Sequence, residues 1–231
     1  MIMFATFTTI AHITAGAIAV LTGALTFAAR KGGSSHANSG RLFTGAMVLS
    51  SSLGAILGLL KFETFYITFH AGILGVTLVL SGWLLARERA AHRRFVFISI
   101  GGVNFLNTAG LIAAGFCALS LPEQVLRGFA AADYFFLAGM AGVALINDIV
   151  ILWRKSLSYR HRIAQHLWRM CIGFFIAAGS AFTGPGARIF PEDLRDSGLL
   201  SLPELTIILL MLFWLFRTLR GKGRQRLVTQ A

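Results

Sequence analysis

The chain has 231 residues, of which 56% are hydrophobic and 13% are charged, and its formal net charge is +12. A water-soluble domain carries about 25% charged residues, so this composition excludes an ordinary soluble protein and favours an integral membrane protein. The basic residues lie between apolar runs, which is typical of membrane topology signals and argues against a nucleic-acid-binding surface.

Seven apolar runs are long enough to cross a bilayer as helices, which takes roughly 20 residues each. They cover residues 4–28, 41–60, 64–86, 95–119, 129–152, 163–184 and 199–217. No basic residue precedes the first run, so we interpret it as a span and not as a cleaved signal peptide. The sequence predicts an all-α, polytopic transmembrane helical bundle, with one seven-helix domain over residues 1–217 and a basic cytoplasmic tail over residues 218–231.

The distribution of Lys and Arg predicts the orientation of this bundle. Of the 21 basic residues, 17 lie in or beside alternate connections and the tail, and 4 lie in the other connections. Because basic residues concentrate on the cytoplasmic side of a membrane, we expect the N-terminus outside and the C-terminus in the cytoplasm.

Four ionisable residues fall in the outer half of the predicted spans: His12, His70, Asp133 and Glu204. At a rise of 1.5 Å per residue they lie roughly 6–12 Å below the surface. An ionised group at bilayer depth costs about 2.5–3.5 kcal/mol, so groups found there are functional candidates. We interpret Asp133 and Glu204 as candidate proton carriers.

His12 and His70 lie on different helices, as axial ligation of a haem iron requires. Gly16 follows His12 by one helical turn and would leave room on that face for a flat macrocycle. We therefore predict b-type haem at His12, His70 and Gly16. Two alternatives stay open, which are another metal ion at the same histidines and hydrogen bonding of each imidazole within the bundle.

A second set of polar residues lies towards the predicted cytoplasmic side. His36 and His166 form a candidate inner pair, for a second haem or for the headgroup of a substrate. Asp148 and Arg169 fall at similar depth in the fifth and sixth spans, so we expect a structural ion pair that lowers the insertion cost of both charges.

The remaining polar residues and motifs indicate helix packing and disfavour several other functions. Asn104 and Asn107 in the fourth span predict interhelical hydrogen bonds, worth roughly 0.6 kcal/mol each. The seventh span contains no lysine for a retinal Schiff base, and the chain has no phosphate-binding loop, G-x-S-x-G or H-E-x-x-H motif.

One pattern runs from the first span through the following connection to the start of the second span. It consists of a histidine four residues before a glycine, then a Lys-Gly pair, a histidine and a Gly-Arg pair. Here it is carried by His12, Gly16, Lys31-Gly32, His36 and Gly40-Arg41, and residues 166–184 (HLWRMCIGFFIAAGSAFTG) continue the likeness. The pattern resembles an uncharacterised bacterial multi-pass membrane-protein family, a domain of unknown function. The resemblance covers about half of the chain, and it implies a bacterial inner-membrane protein without an assigned activity.

These features favour a bacterial inner-membrane redox protein that binds b-type haem and passes electrons between a membrane quinol and an outer acceptor. One alternative is a proton-coupled transporter or small-molecule-binding protein, in which Asp133 and Glu204 would handle protons. Further alternatives are a membrane metal hydrolase and an assembly factor without chemistry of its own. The sequence leaves the substrate, the order of the helices and the oligomeric state open.

Overall fold

The computed structural model describes residues 2–87, 93–154 and 157–220. Within these residues, seven helices are long and apolar enough to cross a membrane, so the predicted all-α seven-span bundle is confirmed. Helices suit this environment because hydrocarbon offers the backbone no hydrogen-bonding partner, and a helix satisfies its own N–H and C=O groups. The predicted orientation stays a prediction, and residues 221–231 of the predicted tail lie outside the described residues.

The long helices are α1 (Ile2–Ala28), α2 (Ser34–Leu60), α3 (Phe62–Ala86), α4 (Arg93–Leu119), α5 (Ala131–Trp153), α6 (Tyr159–Phe182) and α8 (Leu202–Arg220). The connection between α6 and α8 contains the short helix α7 (Glu192–Asp196) and two 3₁₀ turns, Pro185–Ile189 and Leu199–Ser201. A two-stranded antiparallel hairpin, β1 (Val125–Leu126) and β2 (Phe129–Ala130), joins α4 to α5.

Most helix boundaries lie a few residues from the predicted ones, and the starts of α2 and α5 show why. Helix α2 begins at Ser34 rather than at residue 41, because its first turns are helical but polar, and hydropathy detects only their apolar continuation. Helix α5 begins at Ala131 rather than at residue 129, because Phe129 and Ala130 pair with the preceding strand. The turn of this hairpin has positive φ at Arg127 (52°) and Gly128 (80°), which is the backbone of a type I′ turn.

The hairpin is fastened to the start of α3 through Arg127. Its guanidinium carbon lies 3.8 Å from the centroid of the Phe62 ring, and its Nη1 donates to the Phe62 carbonyl at 3.3 Å. Tyr134 donates its hydroxyl to the Leu126 carbonyl at 2.9 Å from the other side. These contacts fix the position of the hairpin over the ends of α3 and α5.

Helices α3 and α6 occupy the centre of the bundle. Helix α3 packs on α2, α4 and α6, and α6 also packs on α1 and α8. One apolar cluster lies among α3, α4, α5 and α6, with Leu74, Leu111 and Tyr134 at its centre. A second cluster lies among α1, α2, α3, α6 and α8, around Met47 and Phe174. Buried polar side chains of α3, α4, α5 and α6 lie beside the first cluster.

Candidate functional site

A buried ion pair joins α5 to α6. Nη2 of Arg169 lies 2.7 Å from Oδ1 of Asp148, and both side chains are 0% exposed. The guanidinium also donates through Nη1 to Oγ of Ser81 at 2.8 Å and through Nε to Oε1 of Gln165 at 3.4 Å. The ion pair expected from the sequence is therefore present, and two polar side chains share the guanidinium with Asp148.

The second oxygen of the carboxylate is bound from α4. Nδ2 of Asn104 donates to Oδ2 of Asp148 at 2.7 Å, and the hydroxyl of Thr77 donates to Oδ1 of Asn104 at 2.7 Å. Asn104 is fully buried. Both oxygens of the carboxylate are thus satisfied, and four helices contribute to one hydrogen-bonded network.

His70 lies on α3, about two turns before Thr77, and is 4% exposed. Its Nδ1 lies 2.7 Å from Oδ1 of Asn107. The amide nitrogen of Asn107 donates to the His70 carbonyl, so the amide oxygen must face the ring and the proton must sit on Nδ1. Nε2 then carries a lone pair, and it is buried without a hydrogen-bond partner among the described residues.

We call this set the polar column: it comprises His70, Thr77, Ser81, Asn104, Asn107, Asp148, Gln165 and Arg169. From His70 to Ser81 it extends about 16 Å along α3 at 1.5 Å per residue, roughly half of a 30 Å hydrocarbon core. At its far end Nε2 of Gln165 donates to Oδ1 of the half-buried Asn147 at 2.6 Å. The column therefore continues towards the membrane face where α6 begins.

His12 has different surroundings from His70. Nδ1 of His12 lies 2.8 Å from the Ser50 carbonyl. The ring also lies beside Gly54, because a Cβ added to this glycine would be 3.0 Å from Cε1 of His12 and 3.8 Å from Cγ2 of Thr68. Thr68 and His70 are two residues apart on α3, hence about 200° apart around the helix. His12 thus faces α2 and one side of α3, whereas His70 faces α4, and the structure does not bring the two rings together.

The space expected for a macrocycle beside Gly16 is occupied by α2. A Cβ at Gly16 would lie 3.2 Å from Oγ of Ser50, and that hydroxyl donates to the His12 carbonyl at 3.1 Å. The glycine therefore permits close packing of α1 against α2.

The two predicted proton carriers lie at helix ends. Asp133 is in the first turn of α5, where its exposed carboxylate accepts the N–H of Ala130 at 2.9 Å as a cap of the helix. Glu204 is in the first turn of α8 and accepts the hydroxyl of Thr183 at 2.8 Å. Neither carboxylate has a hydrogen bond to His12 or His70, so the four outer residues do not form one site in the described structure.

His36 and His166 lie near each other at the opposite end of the bundle. His36 Nδ1 lies 3.2 Å from the Thr26 carbonyl, His166 Nδ1 lies 2.9 Å from the Gly82 carbonyl, and the two imidazoles are within electrostatic range. Lys31 reaches the same Thr26 carbonyl, and desolvation lowers the pKa of this lysine. The imidazoles of His36 and His166 and the amine of Lys31 therefore lie around the end of α1.

Residues 2–87, 93–154 and 157–220 contain no group of three or more His, Cys, Asp and Glu side chains that could hold a metal ion. The hydrolase alternative therefore has no three-ligand zinc site in this part of the chain.

Sequence reasoning missed the roles of Thr77, Ser81 and Gln165. Hydroxyl and amide side chains are common in membrane helices and often bond to their own backbone, so nothing in their spacing singled them out.

No protein-family model, curated protein or solved structure matches the chain. The apolar helices establish the general class of the protein but not its family. The chain is a multi-pass helical membrane protein. Its likeness to the uncharacterised bacterial family stays a resemblance carried by the residues quoted above.

Proposed function

We propose that this protein transfers protons within the membrane along the polar column, coupled to movement of a small polar solute, with His70 as the residue that accepts and releases the proton. The observation that carries the proposal is the lone pair on Nε2 of His70, which is buried and has no donor among the described residues. Ionisable residues inside membrane bundles are typically found in proton relays and solute pathways.

The fixed orientation of the imidazole supports this role. Burying a polar atom without a hydrogen bond costs about 1–3 kcal/mol, and the Asn107 amide holds the ring in the tautomer that leaves Nε2 unpaired. A rotated amide would offer a donor to Nδ1 and allow the other tautomer. The arrangement therefore keeps a basic nitrogen available at a depth where few groups can take up a proton.

The other residues of the polar column bear on the electrostatic cost of a proton on His70. Asp148 and Arg169 balance each other's charge at 0% exposure, and the hydroxyls of Thr77 and Ser81 lie on the same helix as His70. A proton on His70 would place a positive charge in a medium of low dielectric constant, where nearby oriented dipoles lower its cost. The Asn107 amide oxygen supplies such a dipole 2.7 Å from Nδ1 of His70, and Thr77 and Ser81 lie about 10 and 16 Å from His70 along α3.

Charge movement after a pH jump tests the proposal, because proton binding displaces charge even without the coupled solute. Purified protein in proteoliposomes on a solid-supported membrane should give a transient current when the external pH is stepped. The variant His70→Gln, which keeps an amide to pair with Asn107, should lose this transient. His161→Gln is the matched control because His161 is exposed at the start of α6. An unchanged transient in His70→Gln would contradict the proposal.

A redox function with b-type haem is the second candidate, and one observation favours it. His12, His36, His70 and His166 all direct Nδ1 at an oxygen acceptor. Metal-ligating histidines are generally held in this way, with the second nitrogen free for the metal. Since His12 and His70 face different helices, each would serve a haem separately, and His36 with His166 is the pair that lies in one region.

An absorption spectrum of the purified protein tests the haem candidate. If haem is bound, protein expressed with added haem should give a Soret band that shifts on dithionite reduction. Alanine variants of the four histidines should then identify the ligands by loss of the band. A featureless spectrum, or bands unchanged in all four variants, would exclude haem ligated by these four histidines.

A further inference from the structure

The connection between α6 and α8 forms a cavity that is open to its surroundings and has no part in the polar column. Its volume is about 360 Å³, and its lining includes Arg188, Arg195, Thr183, Phe182 and Leu200. The two apolar side chains come from the end of α6 and the turn before α8. Because these helices span the membrane, the cavity lies at the level of the lipid headgroups on that face.

Two exposed arginines line this cavity and form no ion pair with another described residue. The side chains of Arg188 and Arg195 have no hydrogen bond or ion pair with another described residue, although Glu192, Asp193 and Asp196 are close in sequence. The hydroxyl of Thr183 is already engaged with Glu204. The hydroxyl of Ser201 donates to the Gly198 carbonyl, so the two guanidiniums are the polar side-chain groups of the lining that remain free to bind a ligand.

We propose that this cavity binds one phosphate or carboxylate group between Arg188 and Arg195. Two like charges at the lining of one cavity repel each other, an anion between them removes that repulsion, and the planar guanidinium fork matches the oxygens of phosphate and carboxylate. Phe182 and Leu200 exclude water from one side, which strengthens such charge-assisted hydrogen bonds. The anion is either a free solute or the headgroup of an acidic phospholipid, and both present the same oxygens.

Titration calorimetry of the full-length protein in a neutral detergent tests this site with two probes. The probes are inorganic phosphate and short-chain phosphatidylglycerol, and a neutral short-chain glyceride is the ligand control. The variants Arg188→Gln and Arg195→Gln should each weaken binding about tenfold or more, the loss expected for a charge-assisted hydrogen bond. Arg154→Gln is the matched control, since Arg154 is exposed at the end of α5 and should leave binding unchanged.

The pattern of binding distinguishes the two sources of the anion. If both probes bind and both depend on the two arginines, the site accepts free anions. If only phosphatidylglycerol binds, with the same dependence, the ligand is a lipid headgroup. The proposal is overturned if neither probe binds, if the glyceride binds equally well, or if Arg154→Gln weakens binding as much as the cavity variants do.

Discussion

Replacing Asp148 with alanine is expected to lower the free energy of unfolding by about 3–5 kcal/mol, because it leaves Arg169 as a buried charge without a partner. Both side chains are 0% exposed, and the ion pair measures 2.7 Å. Loss of the carboxylate also removes the acceptor of the Asn104 amide. Reversible unfolding in mixed micelles with increasing anionic detergent would measure the change.

A double-mutant cycle separates the ion pair from simple packing. Arg169→Met should cost a similar amount alone, because Asp148 then becomes the unpaired charge. Asp148→Ala combined with Arg169→Met should cost clearly less than the sum, since residues in direct contact couple by about 0.5–3 kcal/mol. Strictly additive losses would contradict the account of a buried, mutually dependent pair.

The second large effect is expected at Gly72, where α3 meets α2. A Cβ at this position would lie 2.5 Å from the Ser51 carbonyl oxygen and 2.7 Å from the Ala55 backbone nitrogen. Backbone atoms cannot rotate away, so Gly72→Ala must push the two helices apart. Overpacking of this kind costs about 1–3 kcal/mol, and the same unfolding assay would measure it.

Gly139→Ala supplies the control for Gly72→Ala. Gly139 lies within α5, and a Cβ there would meet nothing within 4 Å. Alanine is also a better helix former than glycine by about 1 kcal/mol, so Gly139→Ala should be neutral or slightly stabilising. Equal stabilities of the two variants would show that the contact between α2 and α3 is looser than described.

Much of the fold could be predicted because the bilayer imposes one length and one kind of structure on every span. Two of the boundary errors occur where the helical segment and the apolar segment do not coincide. Helix α2 continues through the polar segment around His36 to Ser34, and the apolar Phe129 belongs to a strand rather than to a span. Hydropathy measures affinity for lipid, so it cannot detect a helix that extends beyond the hydrocarbon or an apolar residue in a hairpin.

Part of the site could also be predicted, for a related reason. A charge at membrane depth needs a partner, which pointed to Asp148 and Arg169 whatever the order of the helices. Whether His12 meets His70 depends on helix order and rotation, which depend on side-chain packing. The close approach at Gly54, where His12 and Thr68 converge, turns His12 away from the face of α3 that carries His70.

The state of the His70 imidazole is the central claim, and nitrogen NMR measures it most directly. Protein labelled with ¹⁵N in its histidine rings, compared with His70→Gln, would isolate the His70 signals. We expect a neutral ring protonated at Nδ1, with an Nε2 signal typical of an unbonded lone pair that changes reversibly on acidification. A proton on Nε2 in the neutral ring, or signals that do not respond to pH while the protein stays folded, would contradict it.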